Sequence, residues 1–142
     1  MTYDVEERLP TIQEFERLCR SVGWGEIMNF KAAGKGLPNS VYGVVVLDSD
    51  GEAVGMGRIV GDGALYYYIQ DIAVHPDHQR KGLGTRILTA LFAYLKKEAS
   101  PRSFIALFSV PEAVDFYRRF TLEERDMIGL FTVKELIVNK GV

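Results

Sequence analysis

The sequence has few of the features that mark secreted, membrane-bound or disulfide-stabilised proteins. Its single cysteine, Cys19, cannot form an internal disulfide, and it falls on the apolar face of an expected helix, which favours a place in the core over a role as nucleophile. Residues 1–10 are charged, unlike a signal peptide, and no apolar run approaches the roughly 20 residues of a membrane span. These absences predict a cytoplasmic protein without a membrane partner.

An excess of basic charge is also missing. Lysine and arginine number 17 against 19 acidic residues, so the formal net charge is −2, whereas proteins that bind nucleic acid carry a basic face. Nucleic acid is therefore not expected as a partner. With 142 residues, 47% of them hydrophobic and 25% charged, the chain has the length and composition of one globular domain, which we expect to span residues 1–142.

Motifs for metals and for nucleotides are incomplete. His75 and His78, the 2 histidines, form an H-x-x-H pair, but no cysteine or third ligand lies near them in sequence, so no metal is expected. Thr85 follows Gly84 without an intervening lysine, which excludes a Walker loop. The glycines in residues 55–61 are spaced one residue too far apart for the dinucleotide fingerprint.

The N-terminal half of the chain predicts helices followed by an antiparallel meander. Residues 3–9 alternate weakly, as in an edge strand, and residues 11–14 form a capping box that opens a helix. Residues 23–40 contain several glycines and a proline, which predicts a long loop or short helices. Three strands joined by glycine turns follow, at Tyr42–Leu47, 53–60 and Tyr66–Val74.

The C-terminal half predicts a crossover connection. A helix from residue 85 to about residue 99 leads to a buried strand at residues 104–108, which the crossover makes parallel to the strand before it. A second capping box, residues 109–112, opens a helix that ends at Phe120, and residues 127–138 supply the last strand or strands. This order predicts an α/β fold with a mixed, mostly antiparallel sheet.

The most informative stretch is residues 79–85, Gln-Arg-Lys-Gly-Leu-Gly-Thr, which follows a strand-like run and opens a helix-like one. The first N–H groups of a helix have no intrahelical partner and lie at the positive end of the helix dipole, so they bind phosphate oxygens. Gly82 and Gly84 have no Cβ to prevent close approach, and Arg80 and Lys81 add positive charge. The stretch therefore predicts a cradle for a pyrophosphate.

This stretch resembles motif A of the GCN5-related N-acetyltransferase (GNAT) family, whose pattern is Gln/Arg-x-x-Gly-x-Gly/Ala after a strand that ends in small apolar residues. Gln79, Gly82 and Gly84 match the motif, and residues 72–76, Ile-Ala-Val-His-Pro, match the strand end and the loop after it. The similarity extends from about residue 42 to residue 131, which is most of one domain.

The resemblance implies an acetyl-CoA-dependent N-acetyltransferase with the acyl-CoA N-acyltransferase fold, in which two central parallel strands splay apart around acetyl-CoA. These strands would be Tyr66–Val74 and residues 104–108. The residues implied at the cofactor come from the strand end, from the cradle and from the helix predicted after residue 109. They are Ile72, Ala73, Val74, Gln79, Arg80, Lys81, Gly82, Leu83, Gly84, Thr85, Ala113 and Phe116. A backbone N–H at the strand end, that of Ile72, would stabilise the oxyanion.

Tyr117 matches the family's proton-donating tyrosine. A tyrosine hydroxyl can protonate the thiolate that leaves when coenzyme A is released. By spacing alone, an aromatic residue in this helix belongs to the core, a place that the neighbouring Phe116 can fill instead. On the resemblance we expect Tyr117 to be the catalytic acid.

The attacking amine has to lose a proton, because a lysine-like amine with a pKa of about 10.4 is almost fully protonated at neutral pH. Strand alternation puts Tyr68, Gln70 and Ile72 on one face, and the resemblance directs the face of Tyr68 and Gln70 towards the acceptor. Two residues of the long loop, Glu26 and Phe30, are expected beside them.

No strong base stands among these residues. Neither Tyr68 nor Gln70 is a good base at neutral pH, so deprotonation would run through ordered water or through the carboxylate of Glu26. Asp71 is an alternative base, but a buried carboxylate at this position can equally be paired with a cation or a backbone donor.

Two positions depart from the family pattern. Val110 stands where asparagine is frequent, which removes a side-chain contact to the cofactor. Thr121 and Leu122 replace Gly-Phe after the helix, so we expect a different helix exit. The tail that follows is short, which suggests that a second subunit of a homodimer completes the acceptor site.

Two functions stay open at this point. The first is an N-acetyltransferase for a small-molecule amine, with a protein N-terminus or lysine as the competing acceptor. Acidic residues outnumber basic ones in residues 1–30, which favours a cationic substrate. The second function is a coenzyme A-binding module that senses or regulates without turnover, suggested by Val110 and Thr121.

Overall fold

The structure, a computed structural model that describes residues 2–141, contains a five-stranded sheet whose strands lie in chain order. Neighbouring strands from the first to the fourth pair antiparallel, and the fifth pairs with the fourth in parallel. The predicted α/β class with a mixed, mostly antiparallel sheet is confirmed. The strands are β1 Asp4–Glu6, β2 Tyr42–Leu47, β3 Ala53–Gly61, β4 Tyr66–Val74 and β5 Phe104–Ala106.

The α-helices among residues 2–141 are α1 Ile12–Ser21, α2 Phe30–Gly36, α3 Leu83–Glu98, α4 Val114–Arg118 and α5 Lys134–Lys140. None of them is long and apolar enough to cross a membrane. The chain up to Leu107 forms one compact unit, and the chain from Phe108 onwards forms another. The first unit holds the sheet and α1 to α3, and the second holds α4 and α5. A single domain over residues 1–142 stays a prediction.

Helix α1 begins at the predicted capping box. The Thr11 hydroxyl accepts from the Glu14 N–H at 3.1 Å, and the Glu14 carboxylate accepts from the Thr11 N–H at 2.8 Å. Arg8 donates to both oxygens of the same carboxylate, at 2.8 and 3.1 Å. These contacts join the segment after β1 to the first turn of α1, and the hydrogen bonds from Arg8 hold the pKa of Glu14 below its usual value.

One face of the sheet is covered by α1 and α2. Met56 of β3 and Ala73 of β4 are buried there in one cluster with Phe15, Leu18 and Cys19 of α1. We call this the α1 face. The burial of Cys19 confirms its predicted place in the core.

The other face, the α3 face, is covered by α3, which packs against two glycines of β3. A Cβ on Gly55 would lie 3.2 Å from Ile87 Cδ1, and a Cβ on Gly57 would lie 2.6 Å from Ile87 Cγ2 and 3.3 Å from Leu91 Cδ1. The missing side chains of β3 therefore let α3 approach the sheet closely.

Strand β4 contains one residue more than the facing part of β3. The pairing shifts between Met56 and Arg58, so Gly57 alone faces both Asp71 and Ile72. Asp71 has a φ of 57°, in the left-handed region. An extra residue with a local break in pairing is a β-bulge.

The bulge reverses the alternation of side chains along β4. Ile72 Cδ1 lies 2.7 Å from the point that a Cβ on Gly57 would occupy, which places it on the α3 face. Gln70 is paired with Arg58, on the α1 face. The expectation that Ile72 shares a face with Tyr68 and Gln70 is therefore wrong, because side chains alternate with a period of two only in a strand without a bulge.

Strands β4 and β5 separate soon after they meet. Their last residue pair is Tyr68 with Ala106, whereas β4 continues to Val74. Residues 69–74 consequently have no strand paired to them on the β5 side within the described chain. This separation agrees with the expected splayed strands, although β5 is shorter than the strand predicted at residues 104–108.

The second predicted capping box does not form. The Ser109 hydroxyl donates to the Val110 carbonyl at 2.8 Å instead of accepting from an N–H group of a first turn. Because a residue before proline is held out of the helical region, Val110 next to Pro111 is extended, with φ −65° and ψ 151°. A single 3₁₀ turn follows, and the α-helix begins only at Val114.

The strand predicted within residues 127–138 is wrong for the part of the chain that the structure describes. Helix α5 occupies the second half of this segment, with Glu135 in its first turn, Lys140 in its last turn and Gly141 behind it at a φ of 69°. Charges of these signs and a left-handed glycine favour a helix. Apolar β-branched residues favour a strand only where they pack on a neighbouring strand.

We expect Gly57→Ala to lower the free energy of unfolding by about 1–3 kcal/mol, because the added Cβ would collide with side chains of the α3 face. Urea denaturation measures this. Gly36→Ala is the control, since Gly36 has a φ of −70° and a Cβ there has no neighbour within 4 Å. This control should be neutral or stabilising by about 0.4–1 kcal/mol. Wild-type stability of Gly57→Ala would contradict the close packing of α3.

Candidate functional site

The predicted cradle consists of two left-handed residues in front of α3. Arg80 has a φ of 62° and Gly82 a φ of 77°, and the helix begins at Leu83. The side-chain amide of Gln79 donates to the Val74 carbonyl at 2.9 Å. This hydrogen bond ties the cradle to the end of β4.

The start of α3 is suited to an anion. The N–H groups of Leu83 and Gly84 lie in the first turn, where an α-helix offers no internal acceptor. No acidic residue occurs in that turn, and Arg80 and Lys81 are exposed beside it. The helix dipole, the N–H groups and the two cations therefore all attract a phosphate group.

The unpaired edge of β4 leads into this cradle. Its last residues are Ile72, Ala73 and Val74, and the Val74 carbonyl is the acceptor for Gln79. A ligand that carries amide groups can pair with such an edge as a further strand does. The structure thus brings the predicted cofactor residues of the strand end and of the cradle into one continuous region of the first unit.

An ion pair lies on the α1 face beside the bulge. Arg58 Nε donates to Asp71 Oδ2 at 2.5 Å, and Arg58 Nη1 donates to Ser40 Oγ at 3.0 Å. The side chains of Arg58 and Asp71 are only 19% and 10% exposed. Asp71 is thus paired with a cation, which was the second interpretation from the sequence. Arg58 and Ser40 were missed, although a charged residue inside an apolar strand is a signal for such a pair.

Cys19 is next to this pair and is chemically inert. Burial raises the pKa of the Cys19 thiol to about 12, and Asp71 raises it as well, while Arg58 lowers it. The thiol is therefore protonated at neutral pH. A protonated and fully buried thiol is a poor nucleophile, because the thiolate is the reactive form.

The four residues expected at the acceptor amine belong to the first unit. Tyr68 and Gln70 are half-buried in β4. Phe30 is the first residue of α2, and its ring meets the Phe15 ring of α1 edge to face, with 6.2 Å between centroids. Glu26 is exposed in the connection between α1 and α2.

The remaining predicted residues, Ala113, Phe116 and Tyr117, lie in the second unit. Tyr117 is half-buried in α4, and burial raises the pKa of its hydroxyl. Its ring contacts Phe116, with 5.1 Å between centroids, and Phe116 also contacts Phe120 at 5.7 Å. Phe116 thus belongs to an aromatic cluster, and the Tyr117 hydroxyl keeps its proton over a wide pH range.

The exit from α4 differs from the expectation. Thr121 has a φ of 65°, so the chain makes a left-handed turn with threonine in the place of the family's glycine. The sequence predicted that the chain leaves this helix differently from the family pattern, and for the backbone at Thr121 this prediction is wrong. The β-branched side chain makes the conformation unfavourable by about 1–2 kcal/mol.

Each of the two histidines has a hydrogen-bond partner within the chain. His75 Nδ1 accepts from the Asp77 N–H at 3.2 Å, and the Tyr3 hydroxyl lies 2.9 Å from His78 Nδ1. No group of three or more potential metal ligands is found among residues 2–141.

Sequence comparisons identify related proteins. The acetyltransferase (GNAT) family model matches residues 9–121. The uncharacterized N-acetyltransferase ycf52 of Pyropia yezoensis is 32% identical over 124 residues, which cover 84% of this chain and 70% of that protein. Serotonin N-acetyltransferase 2, chloroplastic, of Oryza sativa subsp. japonica is 37% identical over 70 residues, which cover 49% of this chain and 34% of that protein.

A solved structure agrees with these matches. A probable acetyltransferase of unknown function from meticillin-resistant Staphylococcus aureus superposes with a TM-score of 0.84 at 29% identity, over 93% of this chain and 99% of that one. The family model and the ycf52 relative each cover most of the chain, so the resemblance seen in the sequence is confirmed. The chain belongs to the GNAT family and is an acetyl-CoA-dependent N-acetyltransferase.

Proposed function

We propose that the protein transfers the acetyl group of acetyl-CoA to the primary amine of a small molecule, by direct attack in a ternary complex. The observation that carries the proposal is the continuity of the β4 edge with the cradle at α3, joined by the Gln79–Val74 hydrogen bond. Coenzyme A has amides in its pantetheine arm and a pyrophosphate beyond them. One elongated molecule therefore matches both features.

In this proposal the backbone groups of Ile72, Ala73 and Val74 pair with the amides of the pantetheine arm. The cradle residues, Gln79 to Thr85, surround the pyrophosphate, which accepts from backbone N–H groups of the first turn of α3. Arg80 and Lys81, exposed just before α3, supply positive charge. Ala113 and Phe116 are assigned to the cofactor by the family pattern alone.

Two groups of the chain act on the thioester. The N–H of Ile72, which follows the bulge, donates to the oxyanion that forms when the amine attacks. Tyr117 donates a proton to the leaving thiolate, whose thiol has a pKa of about 8.5 by analogy with cysteine. Support for Tyr117 comes from its match to the family's tyrosine and from the burial that raises its pKa.

The acceptor amine is assigned to the side of β4 that carries Tyr68 and Gln70, with Phe30 and Glu26 at its border. Asp71 is already paired with Arg58, so we assign removal of the amine proton to ordered water or to Glu26. The rice relative is named for serotonin, a small amine, which supports a small-molecule acceptor.

Location and assembly stay predictions. Two plant relatives are named chloroplastic, so they do not support the cytoplasm in particular. The homodimer is supported by the exposed apolar side chains of the C-terminal segment, since Ile128, Leu130 and Phe131 are 88%, 88% and 83% exposed.

Gly82→Ala should weaken acetyl-CoA binding about tenfold, because the φ of 77° at Gly82 disfavours any side chain by about 1–2 kcal/mol and the cradle relaxes away from this shape. Calorimetric titration gives the Kd. Gly63→Ala is a matched control, because Gly63 in the turn before β4 has the same φ of 77° and the same open surroundings. Equal Kd values for the two variants would contradict the assignment of the cradle.

Tyr117→Phe should lower kcat by about 10²-fold and leave the Kd for acetyl-CoA unchanged, since only the proton donor is lost. Tyr66→Phe, at an exposed tyrosine of β4, is the control and should have wild-type kcat. An acid acts below its pKa, and burial raises the pKa of Tyr117. The wild-type kcat should therefore not fall on the alkaline side below about pH 10. An unchanged kcat in Tyr117→Phe would remove this residue from the mechanism.

Free-thiol release from acetyl-CoA should rise above the no-amine control with small primary amines. The panel contains arylalkylamines, polyamines, amino acids, aminoglycosides and peptides. Release with peptides alone would replace the small-molecule acceptor by a protein acceptor. Incubation with acetyl-CoA alone should leave the protein mass unchanged, whereas an acetyl group on the protein that the amine then removes would contradict direct attack.

A further inference from the structure

We propose that Arg58, Asp71 and Ser40 form a positioning network, which holds the bulge of β4 in the shape that the acetyl transfer requires. The inference rests on the proposed use of the β4 edge and of the Ile72 N–H. It assigns to Asp71 a role different from that of a general base. None of the three residues is assigned a contact with substrate or cofactor.

The first observation is the backbone conformation of Asp71. Four non-glycine residues of the described chain have a positive φ: Asp71, Arg80, Arg102 and Thr121. Among these, Asp71 alone lies inside a strand. Side chains disfavour this conformation, and aspartate is one of the few residues that adopt it with some frequency. The bulge therefore needs a contact that fixes it.

The second observation is the contact that fixes the side chain. Arg58 is paired with Gln70 across the two strands, and its Nε reaches diagonally to the next residue, Asp71, at 2.5 Å. Nη1 of the same guanidinium donates to Ser40, just before β2, at 3.0 Å. A planar guanidinium with two of its donors engaged has little freedom. The carboxylate is thus fixed to two other segments of the first unit.

The third observation is the packing on the opposite face. The Ile72 side chain lies against α3, where its Cδ1 and the Cγ2 of Ile87 both crowd the point at which Gly57 would carry a Cβ. The peptide between Asp71 and Ile72 is therefore held by an ion pair on one face and by apolar packing on the other. Its N–H is the one that the proposed mechanism uses.

Positioning of the bulge explains this network better than a gain in the free energy of unfolding does. A buried ion pair is expensive to desolvate and often adds no net stability over apolar side chains of the same volume. The pair does fix the relative orientation of the two side chains, because a charge-assisted hydrogen bond is short and depends on orientation. Misplacement of a reacting group by about 1 Å can cost about 10²-fold in rate.

Three substitutions of Asp71 separate the possible roles. Asp71→Ala removes the carboxylate and disfavours the left-handed backbone. Asp71→Asn removes the charge but keeps a side chain that tolerates this backbone, and Asp71→Gly keeps the backbone freedom without any side chain. We expect kcat to fall about 10²-fold in Asp71→Ala, and to recover partly in Asp71→Asn and Asp71→Gly.

Arg58→Lys completes the set, because it keeps the charge but loses the forked geometry. Its kcat should fall while the Kd for acetyl-CoA changes little. Thermal unfolding of each variant verifies that it is folded at the assay temperature. Ser40→Ala, which removes only one hydrogen bond of the network, should have the smallest effect on kcat.

The pH profile distinguishes positioning from base catalysis. A positioning role predicts that kcat/KM keeps its wild-type dependence on pH in Asp71→Asn and Asp71→Gly, with a lower amplitude. Loss of the acidic limb of the profile, with equal loss of activity in all three variants, would make Asp71 the base and overturn the proposal. Wild-type kcat in all variants would also overturn it.

A binding measurement, which needs no acetyl transfer, tests this inference separately from the proposed function. In the wild type, the amide resonance of Ile72 should shift when acetyl-CoA is titrated, and the shift should be lost in Asp71→Ala and partly restored in Asp71→Asn, whose side-chain oxygen can still accept from Arg58. If this pattern appears but no amine is acetylated, the network positions the edge and the proposed acceptor class fails. If the Ile72 resonance responds alike in all variants, the network does not position the edge, whatever the activity.

Discussion

A mismatch of one residue between β3 and β4 determines what each face of the sheet carries. Gly57 faces two residues, and this is possible because it has no side chain at the point where Ile72 and α3 meet. Before the bulge, Ile69 points to the α3 face, and after it Ile72 does so while Ala73 joins the α1 face. If the same residues formed a regular strand without the bulge, Ile72 and Ala73 would exchange faces, and neither would join the core that now contains it.

Several acidic side chains of the first unit are paired with an arginine or with backbone N–H groups. The Glu14 carboxylate is occupied by Arg8, Asp71 by Arg58, and Asp62 accepts from the N–H groups of Ala64, Leu65 and Tyr66, which lowers its pKa. At the start of α3 the situation is the opposite, because the first turn lacks acidic residues and cations stand beside it. Positive potential therefore concentrates where a pyrophosphate is expected, in a chain whose net charge is negative.

The two units contribute different parts of the proposed mechanism. The first unit supplies the cradle, the edge of β4 and the Arg58–Asp71 ion pair beside the bulge. The second supplies a tyrosine whose position in the family pattern and raised pKa fit a proton donor. Thr121 shows that the second unit keeps a left-handed helix exit in spite of the replaced glycine, so the departure from the family pattern lies in the side chain and not in the backbone there.

Local signals in the sequence were sufficient to predict several elements. Strands β2 and β4 end at the predicted residues, the capping box of α1 forms, and the cradle precedes α3, because turn glycines, caps and apolar periodicity act over a few residues. Membership of the GNAT family was also readable, since the motif is continuous in the chain. The bulge and the Arg58–Asp71 pair depend on contacts between strands, and helix α5 forms where a strand was expected. Register and the choice of an ion-pair partner join residues distant in sequence, so a charged residue inside an apolar strand does not name its partner. For α5, the end charges and Gly141 indicated a helix, and the β-branched residues had no neighbouring strand on which to pack.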